Sequence, residues 1–214
     1  MTIPKPTRLY RLVHIDNLEV LLQRGALHAP NAAPDDDLQY KTIHDASIQK
    51  RRHEMCIPCG KQGVVHDYLP FYLGPCSPML YRLSKGGVED YCEGQGCLIY
   101  IVAWVDDVVN AGLDFVFSDG HGIAAFTQWY DDLQCLEQLD WSLITNKDWA
   151  DTLEDNDRKR RKQAEFLVHG SLPWSMVKGI AVINDEMAGK VEKVLDQHPD
   201  QHRPPVRVVS RWYY

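Results

Sequence analysis

The chain has 214 residues, 44% of them hydrophobic and 25% charged, with a formal net charge of −7. This is one domain's worth of a soluble globular protein, and no stretch approaches the ~18 uninterrupted apolar residues of a transmembrane helix. Met1-Thr2-Ile3-Pro4-Lys5-Pro6 lacks the apolar segment of a signal peptide, so a cytoplasmic location is expected, with the six cysteines as thiols rather than disulfides.

Leu9-Tyr10-Arg11-Leu12-Val13-His14 has strand composition. Asp16 and Glu19 then stand at capping-box spacing, Leu18, Leu21 and Leu22 form one apolar face, and Gly25 suits the residue after a helix end. This reads as strand, polar turn and short helix, with a polar pocket at the turn near His14 and Asn17. Residues 28–42, with Pro30, Pro34 and Asp35-Asp36-Asp37, are loop-like. A short helix over 43–53 carries Arg51 and Arg52, and 54–68 again reads as loop. Cys56 and Cys59 have the spacing of half a zinc site, but no second pair follows, and no metal is expected.

Residues 67–81, D-Y-L-P-F-Y-L-G-P-C-S-P-M-L-Y, are too broken by proline and glycine for a regular core element. They are also too aromatic for a plain linker, which suits either a loop packed over the core or a surface that stacks a base. Residues 97–105 read as a buried strand, and 115–118 as another running into the turn Asp119-Gly120-His121-Gly122. The spacing of Ala124, Phe126, Trp129, Leu133 and Leu136 predicts a helix over 123–139. An acidic stretch, 140–157, precedes the basic run Arg158-Lys159-Arg160-Arg161-Lys162. Phe166-Leu167-Val168 reads as a short strand, 177–183 as a strand, 185–198 as a helix and 206–212 as a last strand. With no repeats and no linker, residues 1–214 form one domain of α+β class around a mixed sheet.

By itself Glu165 is a solvated acid where a helix meets a strand, and the basic run beside it is a solvated face or an anion-binding surface. Phosphate-binding glycine loops, G-x-S-x-G and H-E-x-x-H are all absent. What remains is a constellation: His14 and Asn17, Arg51 or Arg52, the aromatic window, His121 and Glu165.

Four windows, L-Y-R-L-V-H-I-D-N-L (9–18), the 67–81 stretch, D-G-H (119–121) and A-E-F-L-V (164–168), together resemble DarT. DarT is the DNA ADP-ribosyltransferase toxin family of the DarT–DarG toxin–antitoxin systems. The resemblance spans roughly 8–174. It implies an ADP-ribosyltransferase fold, with a split, twisted central mixed sheet, flanking helices and NAD+ as co-substrate in the cleft.

The resemblance makes Glu165 the catalytic carboxylate and Arg51 the favoured catalytic arginine, with Arg52 the alternative. Tyr10, His14, Asn17, Leu22 and the arginine fall in the NAD+ site. Tyr72, Met79, His121, Arg160 and Arg161 fall on the single-stranded DNA. The implied reaction places ADP-ribose on thymidine, and the implied partner is a DarG-type macrodomain antitoxin. The alternatives are transfer to guanine, RNA or protein, or a non-catalytic nucleic-acid-binding module of the same fold. Cys76 stands where the family is expected to carry a basic residue, which puts DNA affinity in question.

Overall fold

The computed structural model describes residues 2–89 and 91–214. In chain order the elements are β1 (Arg8–His14), α1 (Asn17–Arg24), β2 (Ala26–His28), α2 (Ala46–Glu54), β3 (Tyr68–Tyr72), α3 (Pro78–Ser84), β4 (Leu98–Trp104), α4 (Val105–Asn110) and β5 (Phe115–Ser118). They continue with β6 (Trp129–Tyr130), α5 (Trp141–Ile144), α6 (Arg158–Arg161), β7 (Glu165–His169), β8 (Ser171–Pro173), β9 (Gly179–Val182), α7 (Asp185–Asp196) and β10 (Val206–Val208). Eight strands make one sheet in the order β10-β9-β4-β1-β3-β7-β5-β6, and β2 pairs with β8 separately. β10 runs parallel to β9 and the other described pairs are antiparallel, so the sheet is mixed.

The hydrophobic pattern of β4 shows why the sheet is covered on both sides. Ile99, Ile101 and Ala103 join the larger core with Leu9 and Val13, whereas Leu98, Tyr100 and Val102 join a second core with Tyr10 and Leu12. Side chains alternate across a strand, so a continuous apolar run needs packing on both faces. Each buried Leu, Ile or Val among them contributes about 1.5–3 kcal/mol.

The sheet is split at one place. β1 pairs with β4 from Arg8↔Trp104 to His14↔Leu98, but meets β3 only at Tyr10↔Tyr72. β3 pairs fully with β7 instead, from Tyr68↔His169 to Tyr72↔Glu165. Proline can sit in β3 because the missing N–H of Pro70 faces this gap, and Arg11 Nη1 donates to the Pro70 carbonyl at 2.9 Å where a ladder bond would be.

The 67–81 window is therefore a central strand followed by a helix, not an irregular loop. Pro78 opens α3 at a position that tolerates proline, and Ser77 Oγ caps it by accepting from Leu80 N at 3.2 Å.

The expected helix over 123–139 does not form. Trp129 and Tyr130 pair with Ser118 and Phe117, and Tyr130 stacks on Phe117 at 5.3 Å, so sheet pairing wins over helical spacing. A 3-10 turn at Leu133–Gln138 and α5 follow. The last strand is likewise shorter than expected, ending at Val208 before a 3-10 turn. At α1, Gly25 takes φ 62 as expected, but the Asp16 side chain caps nothing. Among the described residues no helix is long and apolar enough to cross a membrane.

Candidate active site

The split in the sheet sets the floor of the site. Register places Tyr10 beside Tyr72 and Tyr72 beside Glu165, so three residues from β1, β3 and β7 stand in one row across it. All three line a cavity of about 550 Å³, a size that suits a nucleotide. α2 forms one wall. Asp45 caps it by accepting from Ser47 N at 2.9 Å, and the helix has a single buried residue, Arg52.

Arg52 and Glu165 meet as a fork. Arg52 Nη1 donates to Glu165 Oε1 at 2.9 Å and Nη2 to Oε2 at 2.7 Å, with Arg52 7% and Glu165 4% exposed. Gly122 N–H donates to Oε1 at 3.1 Å, and His121 Nδ1 lies 3.7 Å from the same oxygen. The site is tight at Gly122: a Cβ there would press on the Trp129 ring at 3.2 Å and stand 3.5 Å from the carboxylate. A carboxylate offers about four lone-pair sites, so three donors leave Oε2 one acceptor position for a ligand hydroxyl.

Burial opposes ionisation of Glu165, but the Arg52 charge, its two hydrogen bonds, His121 and the Gly122 amide outweigh it, and the pKa falls below the ordinary value. For Arg52, burial is likewise outweighed by Glu165 and the charged form is favoured. Burial lowers His121, with Glu165 pulling the other way, so its ring is neutral near pH 7. Burial beside Glu165 raises the Tyr72 phenol. His44, also on the cavity wall, is pushed down to about 4 by burial, then by Arg11 and Arg52.

Of the residues expected at the site, Tyr10, Tyr72, Met79, His121, Arg160 and Glu165 line this cavity, and the Tyr72 hydroxyl lies 3.8 Å from Met79 Sδ. Arg51 also lines it, but Arg51 Nη2 donates to Ile123 O at 3.2 Å and does not touch Glu165. One step along α2 turns a side chain by about 100°, so only one of two adjacent arginines can face the carboxylate, and it is Arg52.

The side chains of three further residues expected at the NAD+ site are engaged elsewhere, and of these Asn17 lines the cavity. Leu22 is buried in the main core, packed away from the cavity. The His14 ring is committed locally: Nδ1 accepts from Asp16 N at 3.1 Å and Nε2 pairs with Glu93 Oε2 at 3.1 Å. Asn17 borders the cavity, yet both ends of its amide clip the backbone of Lys41, at 2.8 and 2.7 Å.

The basic run is not an open wall. Arg160 bonds Asp157 and Asp119, Arg161 bonds Asp140 and Asp155, and Arg158 donates to the carbonyls of Ala150 and Asp148. Lys162, 2% exposed, donates to the carbonyls of Pro75, Ile144 and Asn146 at 2.8, 2.7 and 2.6 Å. Arg161 and Lys162 thus hold the scaffold. Cys76 is buried, so the expected basic position faces inward.

A family model described as ssDNA thymidine ADP-ribosyltransferase, DarT, matches residues 10–214. The DNA ADP-ribosyl transferase of Thermus sp. (strain 2.9) is 41% identical over 213 residues, covering 100% of this chain and 99% of the relative. The chain belongs to the DarT family. Two solved structures of Thermus sp. 2.9 DarT superpose on it. The complex with ADP-ribosylated ssDNA has TM-score 0.93 at 40% identity and covers 100% of this chain and 99% of that one. The complex with NAD+ has TM-score 0.87 at 38% identity and covers 100% of both. A DNA ADP-ribosyl transferase–DNA ADP-ribosyl glycohydrolase fusion protein of Thermosipho africanus is 26% identical over 196 residues, covering 90% of this chain and 47% of the fusion.

Within this DarT fold, sequence reasoning overlooked several cavity residues, His44 and Lys159 among them. His44 gave no signal because it stands at the start of the expected 43–53 helix, outside any motif. Lys159 was hidden inside the basic run, although it borders the cavity and bonds no carboxylate through its side chain among the described residues. His14, Glu93 and Cys97 place ligand atoms within 4.8 Å of one another, and the Lys41 ammonium already sits on Glu93.

Proposed function

We propose that this chain transfers ADP-ribose from NAD+ to a thymidine base in single-stranded DNA and releases nicotinamide. The observation that carries this reading is the buried Arg52–Glu165 fork at the floor of a nucleotide-sized cavity, in a chain of the DarT family. Breaking the bond from C1″ of the ribose to nicotinamide builds positive charge on that ribose. Glu165, ionised and with one acceptor position free on Oε2, hydrogen-bonds the 2″-hydroxyl and stabilises the developing cation.

N3 of thymine then bonds to C1″, nicotinamide departs with the electron pair of the broken bond, and the N3 proton is lost. Arg52, the alternative catalytic arginine of the sequence reading, supplies fixed positive charge that favours the deprotonated base. His121, neutral and next to Glu165, is the group placed to accept the proton. Tyr72 and Met79 supply stacking surface for the target base.

The cationic residues of the cavity that bond no carboxylate among the described residues, Arg11, Arg51 and Lys159, face the phosphates of NAD+ and DNA. The fusion of transferase and glycohydrolase in the Thermosipho relative supports a cognate DarG-type antitoxin that removes the modification. The proposed place of action is the cytoplasm.

The test is to incubate the protein with NAD+ and thymidine-containing oligonucleotides, single-stranded or duplex, and follow their mass. Single strands gain one ADP-ribose per target thymidine, duplexes do not, and Glu165→Ala removes the product. Self-labelling or protein labelling with no modified oligonucleotide overturns the reading.

A further inference from the structure

Phe126 is 83% exposed, although burying a phenylalanine is worth about 1.5–3 kcal/mol. It stands on the turn between β5 and β6, a few residues beyond His121 and Gly122, which touch Glu165.

That turn is braced. Asp119 N–H donates to Gln128 O at 3.1 Å and Gln128 N–H to Asp119 Oδ1 at 2.9 Å, closing its base. Inside it, Ala124 N–H and Thr127 Oγ1 both reach the His121 carbonyl, at 2.9 and 2.8 Å, and Thr127 N–H donates to Ala124 O at 3.1 Å. The ring is therefore presented on a fixed support with nothing packed on it.

From Gly122 to Gln128 the turn carries no charged side chain. On the cavity side it meets Arg51, bonded to the Ile123 carbonyl at 3.2 Å and to no carboxylate among the described residues. Ile123 and Ala124 line the cavity alongside Arg51 and Lys159. An exposed aromatic ring on the turn whose Ile123 and Ala124 line the pocket, with Arg51 bonded to that same turn, is a combination that can track a single strand by stacking and phosphate contact.

We infer that Phe126 and Arg51 form a subsite for the nucleotide adjoining the target in single-stranded DNA, the ring stacking on its base and the guanidinium holding the intervening phosphate. The inference rests on the proposed DNA-directed activity and names the part of the strand read outside the catalytic pocket. Arg51, set aside as the catalytic arginine, thereby gains a role of its own.

The experiment measures kcat and KM on single-stranded oligonucleotides with one target thymidine, placing an abasic nucleotide in turn at each flanking position. Wild-type protein loses about tenfold in kcat/KM when one particular neighbour is abasic. Phe126→Ala raises KM about tenfold on the intact oligonucleotide and no longer responds to that abasic substitution, while Phe126→Trp keeps both wild-type properties. Arg51→Gln raises KM about threefold and flattens the salt dependence of oligonucleotide binding by about one unit of slope.

Unchanged KM and an unchanged abasic penalty in Phe126→Ala overturn the subsite. If wild-type protein modifies no oligonucleotide, the proposed activity fails, and the subsite is judged on fluorescence anisotropy with the unmodified oligonucleotide. There a tenfold weaker binding of Phe126→Ala supports it, and equal binding overturns it.

Discussion

Two basic regions of this molecule have opposite fates. Residues 158–162 put five positive charges in five positions, and the structure commits four of them to partners within the protein, Asp119, Asp140, Asp155, Asp157 and backbone carbonyls. Arg51 and Arg52 are two adjacent charges on a short polar helix, yet one grips the buried Glu165 and the other lines the cavity and bonds no acid among the described residues. Charge density along a sequence therefore says little about charge available to a ligand. Availability depends on which carboxylates the fold brings alongside, and the acidic stretch before the basic run supplies them.

Glu165→Gln breaks the comparison at its strongest point. Removing the charge that opposes the developing ribose cation is expected to lower kcat about 1,000-fold in the oligonucleotide assay, with the fold retained in circular dichroism. The amide can hold only part of the Arg52 fork, so a stability loss of about 1–3 kcal/mol accompanies it.

Lys162→Met tests the inward half. It strips the donor from three carbonyls that join the β3–α3 loop to the end of α5. A cost of about 3 kcal/mol and a Tm lower by roughly 6–12 °C are expected. An unchanged Tm would mean the ammonium is not the hub that the contacts describe.

Stability against pH sharpens the cavity half. His44 is pushed from its ordinary 6.5 to about 4, by burial first and then by Arg11, Arg52 and His66. Between those values the unfolded chain binds more protons than the folded one, so stability falls as pH drops from 6.5 to 4. His44→Gln is expected to shallow that decline in urea titrations at a series of pH values. Equal slopes for both proteins would remove His44 from the account.

Arg161→Gln is the smallest effect. It loosens a partly exposed cluster with Asp140 and Asp155, worth about 1 kcal/mol, and leaves KM for DNA near the wild-type value. A severalfold rise in KM would restore Arg161 to the DNA surface that sequence reasoning assigned it.

These contrasts mark what the sequence made legible. The strands around His14, the β4 run, α7 and the junction at Glu165 followed from periodicity and turn residues, because their packing agrees with local preference. The 67–81 window was misread because Pro70 signals a break, and only the gap between β1 and β3, with Arg11 bonding across it, makes room for proline there. The 123–139 stretch was misread because Trp129 and Tyr130 are fixed by sheet partners on β5, Ser118 and Phe117, beyond the reach of helical spacing. Leu22 and His14 sat in the right motif, but their side chains serve the core and the local turn. Arg51 and Arg52 could not be separated, since helical phase depends on where α2 starts, and Asp45 sets that start.

The most direct measurement is kcat at saturating NAD+ and oligonucleotide for Arg51→Gln and Arg52→Gln side by side, corrected for the folded fraction. The account predicts a fall of about 100-fold or more for Arg52→Gln, because a buried catalytic carboxylate loses its partner, and a change of less than about threefold for Arg51→Gln. A large fall for Arg51→Gln with near-normal turnover by Arg52→Gln would contradict it.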